Sequence, residues 1–173
     1  MRTIACIVLY GMVATSLLSC SDCDEEIPNE NAEFAATYRI SSWISPASAD
    51  LNSDGVESQN LLEESTCYGE SRIELKPDGT FLQSYSSASG NGNTLECLPA
   101  IQMAGIWSVS EDRLTTTAMV EGTRRVTIYM IGENLLTGKR KLTTNLSAAP
   151  YPVLLESGDI EWHEGEVMVG YDI

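Results

Sequence analysis

The chain is predicted to be all-β, an antiparallel up-and-down β-barrel of eight or nine strands with an inserted acidic loop and a short helix. Apolar and polar residues alternate with period 2 in stretch after stretch, as in strands with one buried face. Turn residues punctuate the alternation at short intervals. The connections between successive strands are brief, which favours pairing of sequence neighbours in a closed meander. With 173 residues there is enough chain for one domain after an N-terminal leader.

The hairpin at residues 72–85 sets the pattern. Arg72, Glu74 and Lys76 alternate with Ile73 and Leu75, and Lys76-Pro77-Asp78-Gly79 supplies a turn. Pro77 presets φ, Asp78 suits the next position, and Gly79 tolerates the positive φ that such a turn needs. Thr80, Phe81 and Tyr85 form the return strand.

Upstream, Thr37 to Ile44 reads as the first strand, and Ser45-Pro46 is expected to end it because proline cannot donate to a ladder. The insert 45–66 is small and polar, with Leu61-Leu62-Glu63-Glu64 as a turn or two of helix. Downstream, Ser86 to Thr94 is expected to be a low-complexity loop, and Met103 to Val109 a strand with Trp107 and Val109 on one face. Leu114, Thr116 and Ala118 mark the next strand, and Val126, Ile128 and Met130 line one side of the one after. Leu136 and Leu142 are assigned to a seventh strand. Pro150 and Pro152 demote the start of the eighth to an edge, leaving Val153–Leu155 or a restart at Asp159–His163. Glu164-Gly165 is expected to turn, and Val167, Val169, Tyr171 and Ile173 close the chain in clean alternation.

The N-terminus reads as an address. Met1-Arg2 precedes an apolar run, Ile4 to Leu18, too short for a membrane span, so residues 1–19 are expected to be a secretory signal. Its end, Leu17-Leu18-Ser19-Cys20, resembles the lipobox of bacterial lipoproteins. That resemblance implies cleavage before Cys20 and lipidation of its thiol. It also implies attachment to the outer membrane of a Gram-negative bacterium, on the periplasmic face or at the cell surface. Residues 20–36 follow as an acidic flexible tether, and 37–173 as the barrel domain.

Charge and cysteines narrow the function classes. The formal net charge is −15, with 12 acidic groups and one basic group in residues 20–70. Nucleic acid and anionic lipid headgroups are both disfavoured as direct partners because each requires a basic face. Cys67 and Cys97 bracket the 72–85 hairpin in a compartment where disulfides persist, so they are expected to be bridged. Cys23 is left over on the tether.

A second resemblance rests on the barrel motifs. Tyr38-Arg39-Ile40-Ser41-Ser42-Trp43, Cys67, IELKPDGTF, Cys97 and GIWSVSEDRLT resemble bacterial lipocalin-like lipoproteins over about residues 37–145. This implies a calyx-type barrel with an interior site for a small apolar ligand. The sequence departs from the family in carrying Ser41 where a glycine is usual, and in its long insert.

Few side chains point to chemistry. Asp50, Asn52, Asp54, the Val56 carbonyl and Ser58 match the first part of a calcium loop, with Leu61 where a bidentate Glu belongs and Glu63 or Glu64 as substitutes. A calcium site and a solvated Asx turn both stand open from these residues. His163, between Glu161 and Glu164, is expected at an exposed strand end, with no convergent dyad. Trp43 and Trp107 are candidates to line a ligand pocket, with plain core as the alternative. Lys139-Arg140-Lys141 is expected to protect an exposed strand edge. The leading expectation is a membrane-anchored, non-enzymatic binding protein. The alternative is a surface adhesion or structural module with a solidly packed barrel and functional loops.

Overall fold

The computed structural model describes residues 32–173, so the expected signal, the expected lipidation site Cys20, and Cys23 lie outside the described residues. Nine strands follow one another: β1 (Thr37–Ala49), β2 (Ser58–Asn60), β3 (Arg72–Leu75), β4 (Thr80–Asn91), β5 (Thr94–Ser110), β6 (Arg113–Val120), β7 (Thr123–Glu133), β8 (Arg140–Leu154) and β9 (Ile160–Asp172). One short helix, α1 (Leu61–Glu64), lies between β2 and β3. β3 to β9 form an antiparallel meander, and β1 closes it by pairing with β3 on one edge and β9 on the other. The result is an eight-stranded up-and-down barrel, with β2 as an extra strand on β1.

The 72–85 hairpin forms as its residues dictate. Gly79 takes φ 80°, and the Gly79 amide donates to Lys76 O at 3.1 Å. Asp78 accepts from the Thr80 hydroxyl and amide, which holds its carboxyl below the usual range. At Gly105 a Cβ would run into the Thr117 carbonyl and the Phe81 ring, so strands β4, β5 and β6 close tightly only around glycine. Trp107 is buried and its indole Nε1 donates to Lys76 O at 3.0 Å, locking β5 under this turn.

The inward sides of the strands supply the core. Ile73, Leu75, Phe81, Leu114, Tyr129, Leu142, Val167, Val169 and Tyr171 are all buried. A second group lies where the insert packs against the long β4–β5 hairpin: Trp43, Leu61 and Tyr68 are buried, and the Trp43 ring sits 5.0 Å from Tyr68 and 5.3 Å from Tyr85. The Cys67–Cys97 disulfide pins the end of the insert to β5, with a Cα–Cα distance of 4.8 Å.

Several boundaries differ from the sequence reading. Residues 86–94 are not a loop: β4 and β5 continue through them to a two-residue turn, Ser87 pairing with Leu98 and Asn91 with Thr94. Backbone pairing supplies the stabilisation there, and small Ser86 and Ala88 are buried by close approach. Pro46 does not end β1. The β9 ladder stops at Ile44 and the β2 ladder is irregular between Ile44 and Ala49, so an absent N–H costs nothing there. Glu164-Gly165 is not a turn. β9 runs through it, and the chain reverses at Leu155–Gly158, where the Gly158 amide donates to Leu155 O at 2.9 Å. Leu136 lies in the β7–β8 connection, 96% exposed, outside any strand. Val126, Ile128 and Met130 do share a side, but it is the outer one. Ala32–Phe34, placed with the tether by composition, form a 3₁₀ turn. Phe34 packs on the core and carries the Arg140 guanidinium 4.2 Å above its ring, so Arg140 is not a bare edge charge.

Reducing the disulfide frees a segment with a sequence separation of 30. The expected loss is about 3.5 kcal/mol of unfolding free energy in the chain-entropy description. Denaturant titrations of wild type and of a Cys67→Ser/Cys97→Ser double variant measure it. Coincident curves would show that the bridge is not a constraint on folding.

Candidate functional site

The ladder between β7 and β8 is short. It joins Met130–Glu133 to Arg140–Thr143 and stops there, although both strands continue, β7 back to Thr123 and β8 on to Leu154. Beyond that point the two strands are bridged by a side chain: the Thr144 hydroxyl donates to Ile128 O at 2.8 Å. On their other edges β7 keeps a full ladder to β6, and β8 a ladder to β9 that is irregular only between Leu146 and Ala149. The barrel is therefore closed at one end and parted along one seam at the other.

A cavity of about 330 Å³ lies inside the barrel at the parted end. Its floor is Tyr129, Tyr171 and Gln83, with the Gln83 amide donating to Tyr171 Oη at 3.4 Å and the two rings edge to face at 6.2 Å. Ile101, Met103, Val120, Leu146 and Val169 supply apolar walls, and Tyr85 a flank. On the outer side of the seam a groove of about 800 Å³ runs between Val126, Ile128 and Met130 on one bank and Thr143, Asn145 and Ser147 on the other. Arg125, Thr127, Thr144 and Leu146 line both spaces. Cavity and groove thus meet at the seam.

The cavity's tyrosines are held neutral. Burial raises the Tyr129 and Tyr85 phenols to about 12 and pushes Tyr171 higher still, with Tyr129 beside it adding to the effect. Tyr68, behind Tyr85, is raised by burial in the same way. Such a lining offers neutral hydroxyls and an amide among hydrocarbon, suited to orienting a bound molecule by a few polar contacts. It presents no paired acid and base.

The residues singled out by sequence fall elsewhere. Trp43 and Trp107 are core residues and line neither space; Trp43 only backs Tyr85. His163 pairs across the ladder with Tyr151, in mid-strand rather than at a strand end, its Nε2 3.6 Å from Glu161 and its side chain exposed. In the insert, Asp50 accepts the Asp54 and Gly55 amides at 3.0 and 2.9 Å, and Asp54 accepts that of Val56 at 2.8 Å. Asn52 bridges Asp54 and the Glu63 carbonyl. Glu63 binds the Ser58 hydroxyl and the Asn60 amide, which lower its carboxyl, and Glu64 turns to the Leu51 amide. Their oxygens are used on local backbone and side-chain donors. Among the described residues no group of three His, Cys, Asp or Glu side chains converges as a metal site. The sequence did not single out the cavity residues, because Thr127 and Tyr129 alternate no more clearly than Val126 and Ile128 do.

No protein-family model matches the chain, and no curated protein and no solved structure matches it.

The buried phenols make the fold alkali-sensitive. Their folded pKa values lie above the ordinary value near 10, so the stability they leave intact is complete below about pH 10 and is lost as pH rises through the folded values. Tyr68, Tyr129 and Tyr171, each at most 2% exposed, would together cost about 4 kcal/mol per pH unit in that window. Denaturation midpoints should be flat to about pH 10 and then fall steeply, with tyrosinate absorbance rising together with unfolding. Tyr129→Phe should flatten the fall. Full tyrosinate absorbance in a protein that stays folded would contradict this account.

Proposed function

We infer that the protein is a non-enzymatic binding module that holds a small, mostly apolar molecule inside its barrel. The observation that carries this reading is the cavity of about 330 Å³, floored by neutral polar groups and continuous with an open seam. A pocket of that size lies at the small end of the range used for ligands, and its apolar walls supply affinity while Gln83 and the phenols supply orientation. The alternative of a solidly packed barrel would leave no such space. The resemblance to lipocalin-like lipoproteins points the same way.

Isothermal titration of the protein with decanol tests the reading. One equivalent should bind, and Leu146→Trp, which fills the space shared by cavity and seam, should weaken binding at least about tenfold while leaving the circular dichroism spectrum unchanged. Binding that is undiminished in Leu146→Trp would place the ligand outside the barrel, and absence of binding would remove the proposal.

The same module is proposed to act at a membrane, tethered by a lipid on Cys20 in the outer membrane. The lipobox-like Leu17-Leu18-Ser19-Cys20 after an apolar run supports this. Cells fed labelled palmitate should incorporate label into the wild-type protein and not into Cys20→Ala, with the variant released from the membrane fraction. Label retained in Cys20→Ala would refute it.

A further inference from the structure

The chain carries 25 acidic against 10 basic residues, yet no carboxylate lines the cavity or the seam groove. The one charged side chain that lines them is Arg125, and it lines both. Its position follows from the strand register. Tyr129 and Thr127 point inward on β7, so Arg125, two residues further along the same side, points toward the mouth of the barrel. Among the described residues no ion pair involves Arg125.

The backbone beside it is also available. Ile128 O faces β8, where it accepts from Thr144, and the Ile131 amide faces β6, where it donates to Asp112 O. Backbone groups alternate along a strand, so the Val126 N–H and C=O face the seam, at a height the β7–β8 ladder does not reach. A guanidinium and a strand-edge amide at the rim of an apolar cavity form a setting for an anion joined to a hydrocarbon chain. Arg125 is exposed at this rim, where its planar guanidinium can donate in pairs to such oxygens, and a charge-assisted bond is stronger than a neutral one.

We propose that the β7–β8 seam is a head-group site, and that the ligand of this barrel is an anionic amphiphile whose carboxylate or phosphate sits at Arg125 while its hydrocarbon occupies the cavity behind Leu146 and Tyr129. This rests on the reading of the cavity as a binding site. The net negative charge of the remaining surface repels such molecules, so the Arg125 rim is where the anion is captured.

The test compares decanoate, decyl phosphate and decanol on the same protein by isothermal titration, below their micelle concentrations. Wild type should bind at least one anion about tenfold or more tightly than decanol, and the advantage should shrink as salt is raised. Whether decanoate or decyl phosphate binds more tightly identifies the head group. Arg125→Gln should bring the anions to the level of decanol and leave decanol unchanged. Lys76→Gln, the same change of charge in the exposed β3–β4 turn and lining neither space, should alter none of the three. Because decanol affinity is read in every variant, a misfolded Arg125→Gln would reveal itself. Equal affinity for decanol and both anions, or an anion preference that survives Arg125→Gln, would overturn the head-group site while leaving the cavity reading intact. Failure of all three to bind would overturn both.

Discussion

Everything in this barrel depends on β1 being paired along both edges. Thr37–Arg39 meets Arg72–Glu74 of β3, and Arg39–Ile44 meets Met168–Asp172 of β9. Without that double ladder, the meander from β3 to β9 would be an open sheet with two unpaired edges, exposing its inward residues and inviting association through its edges. Closure turns the inner face into a core, and it forces Trp43, Tyr38 and the C-terminal alternation of Val167, Val169 and Tyr171 into one interior. It also fixes the register of each strand, because a slip by one residue would turn every side chain to the opposite face.

Closure is uneven, and the unevenness creates the site. Where β7 and β8 pair, the interior is filled by Leu114, Tyr129 and Leu142; where they part, the interior is a cavity. The long β8–β9 hairpin accounts for the difference. β8 follows β9 closely from Lys141 to Leu154, with an irregularity between Leu146 and Ala149, and is drawn away from β7. Pro150 and Pro152 fit that course, since β8 has no β7 partner at their height. The seam is held from spreading by the Thr144 hydroxyl on the Ile128 carbonyl, worth about 1 kcal/mol as a neutral hydrogen bond.

The insert is a different solution to a different problem. It has few apolar residues, and it is ordered by local polar bonds among Asp50, Asn52, Asp54 and Glu63, by Leu61 and Tyr68 packed beneath it, and by a covalent tie to β5. The Asp50 and Asp54 carboxylates accept nearby backbone amides, a use that Asp and Asn adopt readily in turns.

The sequence by itself determined the fold class, the 72–85 hairpin down to the positive φ at Gly79, the single turn of helix at Leu61–Glu64, and Val167, Val169 and Tyr171 as the inward set of the last strand; Ile173, read as continuing that set, lies past the end of β9 and is exposed. It did so because these features are local: turn chemistry and period-2 alternation act within a few residues. It also paired Cys67 with Cys97, since they were the two cysteines bracketing the hairpin. Tertiary structure decided which face of β7 is inner, since both of its faces are apolar enough to be core and only register across β6 and β8 distinguishes them. It decided that residues 86–94 are strand, because serine and glycine pair through their backbones only when a partner is supplied from β5. The site belongs to the same class of fact. Arg125 and Leu146 stand far apart in the chain and carry no motif, and they come to share a rim only where a ladder between two strands stops short.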